Sequence, residues 1–78
     1  VDDEALADAA MTLACQLASG PTRSFGMIKQ AIQTSATQSL DRQLDLERDL
    51  QRKAGRTRDY AEGVAAFLEK RKPEFKGQ

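Results

Sequence analysis

Histidine is absent from this 78-residue sequence, and cysteine occurs once, at Cys15. Without histidine the chain lacks the commonest general base and the commonest metal ligand together. A single cysteine excludes an internal disulfide and fits a reducing, cytoplasmic setting. Cys15 is a poor nucleophile as well, because no imidazole is available to activate it. On a helical wheel it falls nearly opposite the apolar stripe of its segment, the place of an incidental thiol. No apolar run approaches the roughly 18 residues of a membrane span, and no signal-peptide pattern opens the chain. Neither charge sign is in excess: 12 Lys and Arg balance 12 Asp and Glu, whereas a nucleic-acid binder carries a basic surplus. Aromatics are scarce, with three Phe and one Tyr, and many of the apolar residues are alanines. A chain this short buries a small share of its surface, and at roughly 25 cal/mol per Å² such helices barely offset chain entropy. The apolar faces therefore need something further to pack against, either more of the same chain or another subunit.

What is present is helical periodicity over a single small domain, residues 1–78. The spacing predicts four helices and no strand. The first covers about residues 3–19, with Asp2 or Asp3 as cap and Leu6, Ala10, Leu13, Ala14 and Leu17 on one face. Gly20-Pro21 stops it, the glycine in a left-handed cap and the proline because it cannot continue the ladder. A second helix begins at Pro21 or Thr22, carries Phe25, Ile28 and Ile32, and weakens through Thr34-Ser35-Ala36-Thr37. The third, near 39–54, places Leu40, Leu44, Leu46 and Leu50 among many charges. There Glu47 with Gln51 and Asp49 with Lys53 stand four apart and can support the exposed face. Gly55 ends it. The fourth starts after Thr57 or Asp59, with Asp59 and Glu62 in capping-box spacing. Tyr60, Val64, Phe67 and Leu68 form its stripe, and Pro73 marks its end. The fold class is all-α, a small bundle of about four helices.

Two charged clusters invite a chemical reading. Asp45, Glu47 and Asp49 diverge around a helix and are interleaved with Arg42, Arg48 and Arg52, which makes a solvated, salt-bridged face rather than an acid–base or metal site. Lys70-Arg71-Lys72, with Lys76 beyond, makes the end of the chain basic where Asp2, Asp3, Glu4 and Asp8 make its start acidic. Cations in a last helical turn complement the helix dipole. The same cluster between Phe67 and Phe75 also suits an anion.

Those residues carry a resemblance. The stretches LASGPTRSFGMIKQAI, LDLERDLQ and RDYAEGVAAFLEKRKPEFKG resemble the C-terminal end of the enoyl-CoA hydratase/isomerase (crotonase) superfamily over essentially the whole chain. The most specific part is the ordered set Asp59, Glu62, Gly63, Ala66, Phe67, Lys70, Arg71, Pro73 and Phe75, together with Gly20-Pro21 and Lys29. LERDLQRKAGRTRDYAEGV is similar to the phenylacetate-degradation branch. The resemblance implies a C-terminal helical domain whose catalytic spiral α/β domain lies elsewhere, so the 78 residues alone are expected to be inactive. It implies a homotrimer or dimer of trimers, an acyl-CoA thioester as substrate of the parent enzyme, and no tightly bound cofactor. It also implies that Phe67 and Lys70 approach the adenine and phosphates of coenzyme A held by a neighbouring subunit. Nucleic-acid and membrane partners are not expected. A free-standing helical adaptor that binds a partner protein is the alternative from another class, and the length of the intact gene product separates the two.

Overall fold

A computed structural model describes residues 2–78 and contains four α-helices, with no strand among the described residues. A single 3-10 turn, Asp3–Ala5, leads into α1, Leu6–Ala18; α2 is Thr22–Ser35, α3 is Leu40–Ala54 and α4 is Arg58–Glu69. The all-α expectation and the order of the helices hold.

The helix ends are set by local chemistry, and three of them differ from the sequence reading. Asp2 makes no side-chain cap bond, and a backbone bond from Ala5 N–H to the Asp2 carbonyl (3.0 Å) forms the entering turn instead. At the α1–α2 break Gly20 is not left-handed; the positive-φ glycine of the described chain is Gly77. Gly20 answers a steric demand, because a Cβ there would lie 2.6 Å from the Phe25 ring. In α4 the start after Thr57 holds and the capping box does not: Thr57 Oγ1 accepts from Tyr60 N–H (3.0 Å) and donates to the Ala54 carbonyl (2.8 Å), closing α3 and opening α4 with one hydroxyl. Ser39 caps α3 in the same way, accepting from Arg42 N–H at 3.3 Å. Asp59 and Glu62 are thereby released from the capping box, and both find other work.

Packing is open. Helices α2 and α3 form the main hairpin, tied by Gln43 Nε2 donating to the Ala31 carbonyl (3.0 Å) and by Gln38 Nε2 donating to Gln43 Oε1 (2.8 Å). The buried apolar side chains are Leu50 and Ala66, whereas Leu6, Leu13 and Leu17 of α1, Ile28 and Ile32 of α2, and Leu40 and Leu44 of α3 lie exposed. The radius of gyration is 15.8 Å, against about 11.5 Å for a compact domain of this length. The accessible surface is 6493 Å², about 1,800 Å² more than a compact monomer of this mass exposes. The four helices form without enclosing a core of their own, as the alanine-rich composition predicts.

On α3 the carboxylates behave as a solvated face. Arg48 pairs with Asp45 and Asp49, both at 3.4 Å, and Arg52 with Asp49 at 3.8 Å. Asp49 therefore turns to arginines rather than to Lys53. No cluster of three potential metal ligands occurs among the described residues, and exposed pairs of this kind contribute about 0–1 kcal/mol each. Cys15 is exposed. No described helix is long and apolar enough to cross a membrane.

Candidate functional site at the end of helix α4

The C-terminal end of α4 is built by one unusual residue. Lys70 has φ 55° and ψ 43°, the left-handed conformation, and no other described non-glycine residue has a positive φ. Around it the helix closes with two backbone bonds, Arg71 N–H to the Ala66 carbonyl (3.0 Å) and Lys70 N–H to the Phe67 carbonyl (3.3 Å). This is a Schellman closure, whose left-handed position glycine normally fills. An L-residue there costs roughly 1–2 kcal/mol. A bulky side chain kept at such a position points to a role for that side chain.

Lys70, Arg71 and Lys72 consequently lie beyond the last turn, and no basic residue falls within it. The expected dipole role in the last turn is not realised. Arg71 differs from the two lysines that flank it. Arg71 is engaged on its own chain: NH1 and NH2 reach Glu62 at 2.6 and 2.9 Å, and Nε reaches Glu69 at 2.7 Å. Lys70 is exposed and, among the described residues, forms no ion pair.

From Arg71 onward the chain runs back along α4 as an extended strap. Glu62 also accepts from Glu74 N–H (2.7 Å). Further on, the two oxygens of Asp59 accept from Lys76 N–H (2.9 Å) and Gly77 N–H (2.8 Å), while Asp59 N–H donates to the Gln78 carbonyl (2.9 Å). Asp59 is only 3% exposed, so this carboxylate is satisfied by the tail rather than by water. Between the two anchors Phe75 lies over Gly63, where an added Cβ would meet the ring at an ordinary 3.6 Å. Gly77, with φ 74°, passes against Thr22, and a Cβ there would lie 2.5 Å from Thr22 Oγ1. The strap thus joins α4 to the start of α2. Asp59 and Glu62 are the residues that sequence reasoning assigned to a helix start. Their spacing serves either purpose, and Thr57 just before them was the signal that the cap was already taken.

Beside the strap an apolar groove of about 380 Å³ runs between α2 and α4, with Pro21, Tyr60, Val64, Phe67 and Phe75 on its walls. Phe67 is 82% exposed, so its ring is not part of a core formed by these helices alone. Phe67 and Lys70 stand three residues apart at one end of α4, both open to solvent.

The Glu62–Arg71 clamp is charge-dependent. Hydrogen bonds from Arg71, then from Glu74 N–H, lower the Glu62 pKa from 4.5 to about 2, and Arg71 is raised by its bonds to Glu62 and Glu69. A folded-state pKa below the unfolded value adds stability that is complete above the unfolded pKa and lost as pH falls through the folded one. The strap amide of Glu74 is therefore expected to stay protected from hydrogen exchange above pH 4.5 and to lose protection progressively toward pH 2. Amide exchange measured across that range checks this, and protection unchanged down to pH 2 contradicts it.

With the geometry in place, the chain can be set against known proteins. The family model described as enoyl-CoA hydratase/isomerase matches residues 1–78. The chain belongs to the enoyl-CoA hydratase/isomerase family. It is 62% identical over 78 residues to the 1,2-epoxyphenylacetyl-CoA isomerase of Escherichia coli strain K12, matching all of this chain and 30% of that protein. A solved structure from Mycobacterium abscessus, assigned to enoyl-CoA hydratase/isomerase, superposes with a TM-score of 0.96 at 38% identity, covering 100% of this chain and 30% of that one. The Geobacillus kaustophilus HTA426 enoyl-CoA hydratase structure gives 0.90 at 33% identity, covering 96% and 28%. The chain spans about a third of the length of the proteins it matches.

Proposed function

We propose that residues 1–78 are the C-terminal helical domain of an enzyme that hydrates or isomerises acyl-CoA thioesters. The domain completes a homotrimer or dimer of trimers and contributes Phe67 and Lys70 to coenzyme A bound by a neighbouring protomer. The catalytic groups and the oxyanion hole, usually the largest single term in such chemistry, belong to the rest of the parent. The 62% identity to a 1,2-epoxyphenylacetyl-CoA isomerase favours an aromatic-ring acyl group and phenylacetate catabolism as the setting. The surplus of exposed surface, about 1,800 Å², is roughly twice what each partner gives to a standard interface, and it supports a domain covered by other protein.

One observation carries the ligand assignment: an exposed lysine, without an ion pair among the described residues, in a left-handed conformation one turn from an 82% exposed phenylalanine. A flat ring suits an adenine face, and a long flexible cation suits a phosphate. In the full-length enzyme Lys70→Ala is expected to raise KM several-fold, corresponding to about 1 kcal/mol for an exposed ionic contact. The effect should shrink at high salt, since the Debye length is about 8 Å at physiological ionic strength, and vanish with a pantetheine thioester that lacks the nucleotide. The value of kcat should change little, and the isolated 78-residue chain should show no turnover. A fall in kcat alone, or an equal loss on the nucleotide-free substrate, makes Lys70 structural and removes the assignment.

A further inference from the structure

We infer that Glu62 and Arg71 are positioning residues for Lys70: their paired hydrogen bonds hold residue 70 in the left-handed conformation from which its ammonium meets the nucleotide. The inference rests on the reading of Lys70 as a coenzyme A contact, and adds how that contact is aimed.

A left-handed backbone is unfavourable for any L-residue with a side chain and persists only when its surroundings over-determine it. No ion pair of Lys70 itself does so among the described residues. Its neighbours do. On the helix side the Schellman bonds close the last turn. On the strap side Arg71 is gripped by all three guanidinium nitrogens. Two of them reach the two oxygens of Glu62, nine residues earlier on α4, and the third reaches Glu69, immediately before Lys70. Glu62 then takes Glu74 N–H as well, which fixes the direction of the chain leaving the helix. Residue 70 is the link between two fixed points.

The clamp stabilises the strap through Glu62, whose side chain is 24% exposed, but the Arg71 side chain is 41% and the Glu69 side chain 62% exposed, and pairs this open contribute little to folding. A planar, bidentate arginine–carboxylate pair does confer geometric specificity. Arg71 is also removed from ligand duty by this pairing, which leaves Lys70 and Lys72 without an ion pair among the described residues, and of the two Lys70 is the one that stands three residues from Phe67. Loss of the clamp frees residue 70 to leave the left-handed region, and the ammonium then points elsewhere although its charge remains.

The test is a double-mutant cycle in the full-length enzyme, with KM measured for an acyl-CoA and for the matching pantetheine thioester. Glu62→Gln keeps an acceptor for Glu74 N–H but loses the charged, two-oxygen grip on Arg71. It is expected to raise KM for the acyl-CoA several-fold, approaching the effect of Lys70→Ala, while leaving kcat and the pantetheine KM unchanged. In the Lys70→Ala background it should add nothing, because the two residues act through one ammonium. If Glu62→Gln does not fold, Arg71→Lys, which keeps the cation but lacks the planar fork, is read in the same way. Multiplying effects in the double variant, or an unchanged KM in the single one, overturns the positioning role while leaving the Lys70 contact standing. A Lys70→Ala enzyme with normal KM removes both.

Discussion

Expressed alone, the 78-residue chain is expected to melt over a broad temperature range, bind a hydrophobic dye and self-associate, while keeping the far-ultraviolet signature of helix. The cause is where its apolar residues lie. Leu50 and Ala66 are buried, but Met11, Leu13 and Leu17 of α1, Ile32 of α2, Leu40 of α3 and Leu68 of α4 are each at least half exposed. Folded domains are stable by only about 5–15 kcal/mol with a full core, and two buried apolar side chains are far from one. Exposed apolar stripes of this extent mark interaction surfaces, and on the proposed reading the parent enzyme covers them. Thermal circular dichroism, dye fluorescence and light scattering test the expectation together. A monodisperse monomer with a sharp, high-midpoint transition and no dye binding refutes it, and with it the reading of this domain as one covered by its parent.

Asp59→Ala should be the most damaging single substitution among the residues that anchor the strap. Both carboxylate oxygens accept tail N–H groups, at 2.9 and 2.8 Å, in a residue 3% exposed. Hydrogen bonds to a charged group contribute about 1.5–3 kcal/mol each. Alanine removes two of them, along with an acidic side chain from the first turn of α4, where the helix dipole favours it. In the full-length protein a loss of about 2–4 kcal/mol is expected, with exchange protection at the Lys76 and Gly77 amides abolished. Asp59→Asn should fall between, because its amide group keeps one carbonyl acceptor and replaces the other with a donor. Unchanged exchange at residues 76 and 77 in the alanine variant contradicts the anchoring role.

The helices were legible in the sequence because their information is local. Apolar residues at three- and four-residue intervals, Thr57 ahead of α4 and the Gly20-Pro21 break each act within one turn of chain, and the observed boundaries follow them closely. The thin core was legible too, since alanine count and aromatic scarcity limit what can be buried. The strap was not. Its bonds connect Lys76 to Asp59 across 17 residues and Glu74 to Glu62 across 12. A carboxylate accepting backbone N–H groups from an extended segment leaves no periodicity to read. Gly20 shows the same limit at shorter range: its reason is the Phe25 ring, which becomes a neighbour only once α1 and α2 turn. Of the candidate site, Phe67 and Lys70 came from resemblance. The exposure of the ring and the left-handed lysine are what the folded chain adds.

That left-handed lysine sets two kinds of selection against each other. Glycine at position 70 would relieve the backbone and complete the helix end in its preferred chemistry. A search for heat resistance that ignored catalysis should therefore find Lys70→Gly early, as an inexpensive gain. On the proposed reading of Lys70 as a coenzyme A contact, the same search run with scarce thioester as the limiting nutrient should discard it. Residue 70 is then a place where durability and thrift with substrate cannot be improved together, and the amino acid a lineage keeps there records which of the two it needed more.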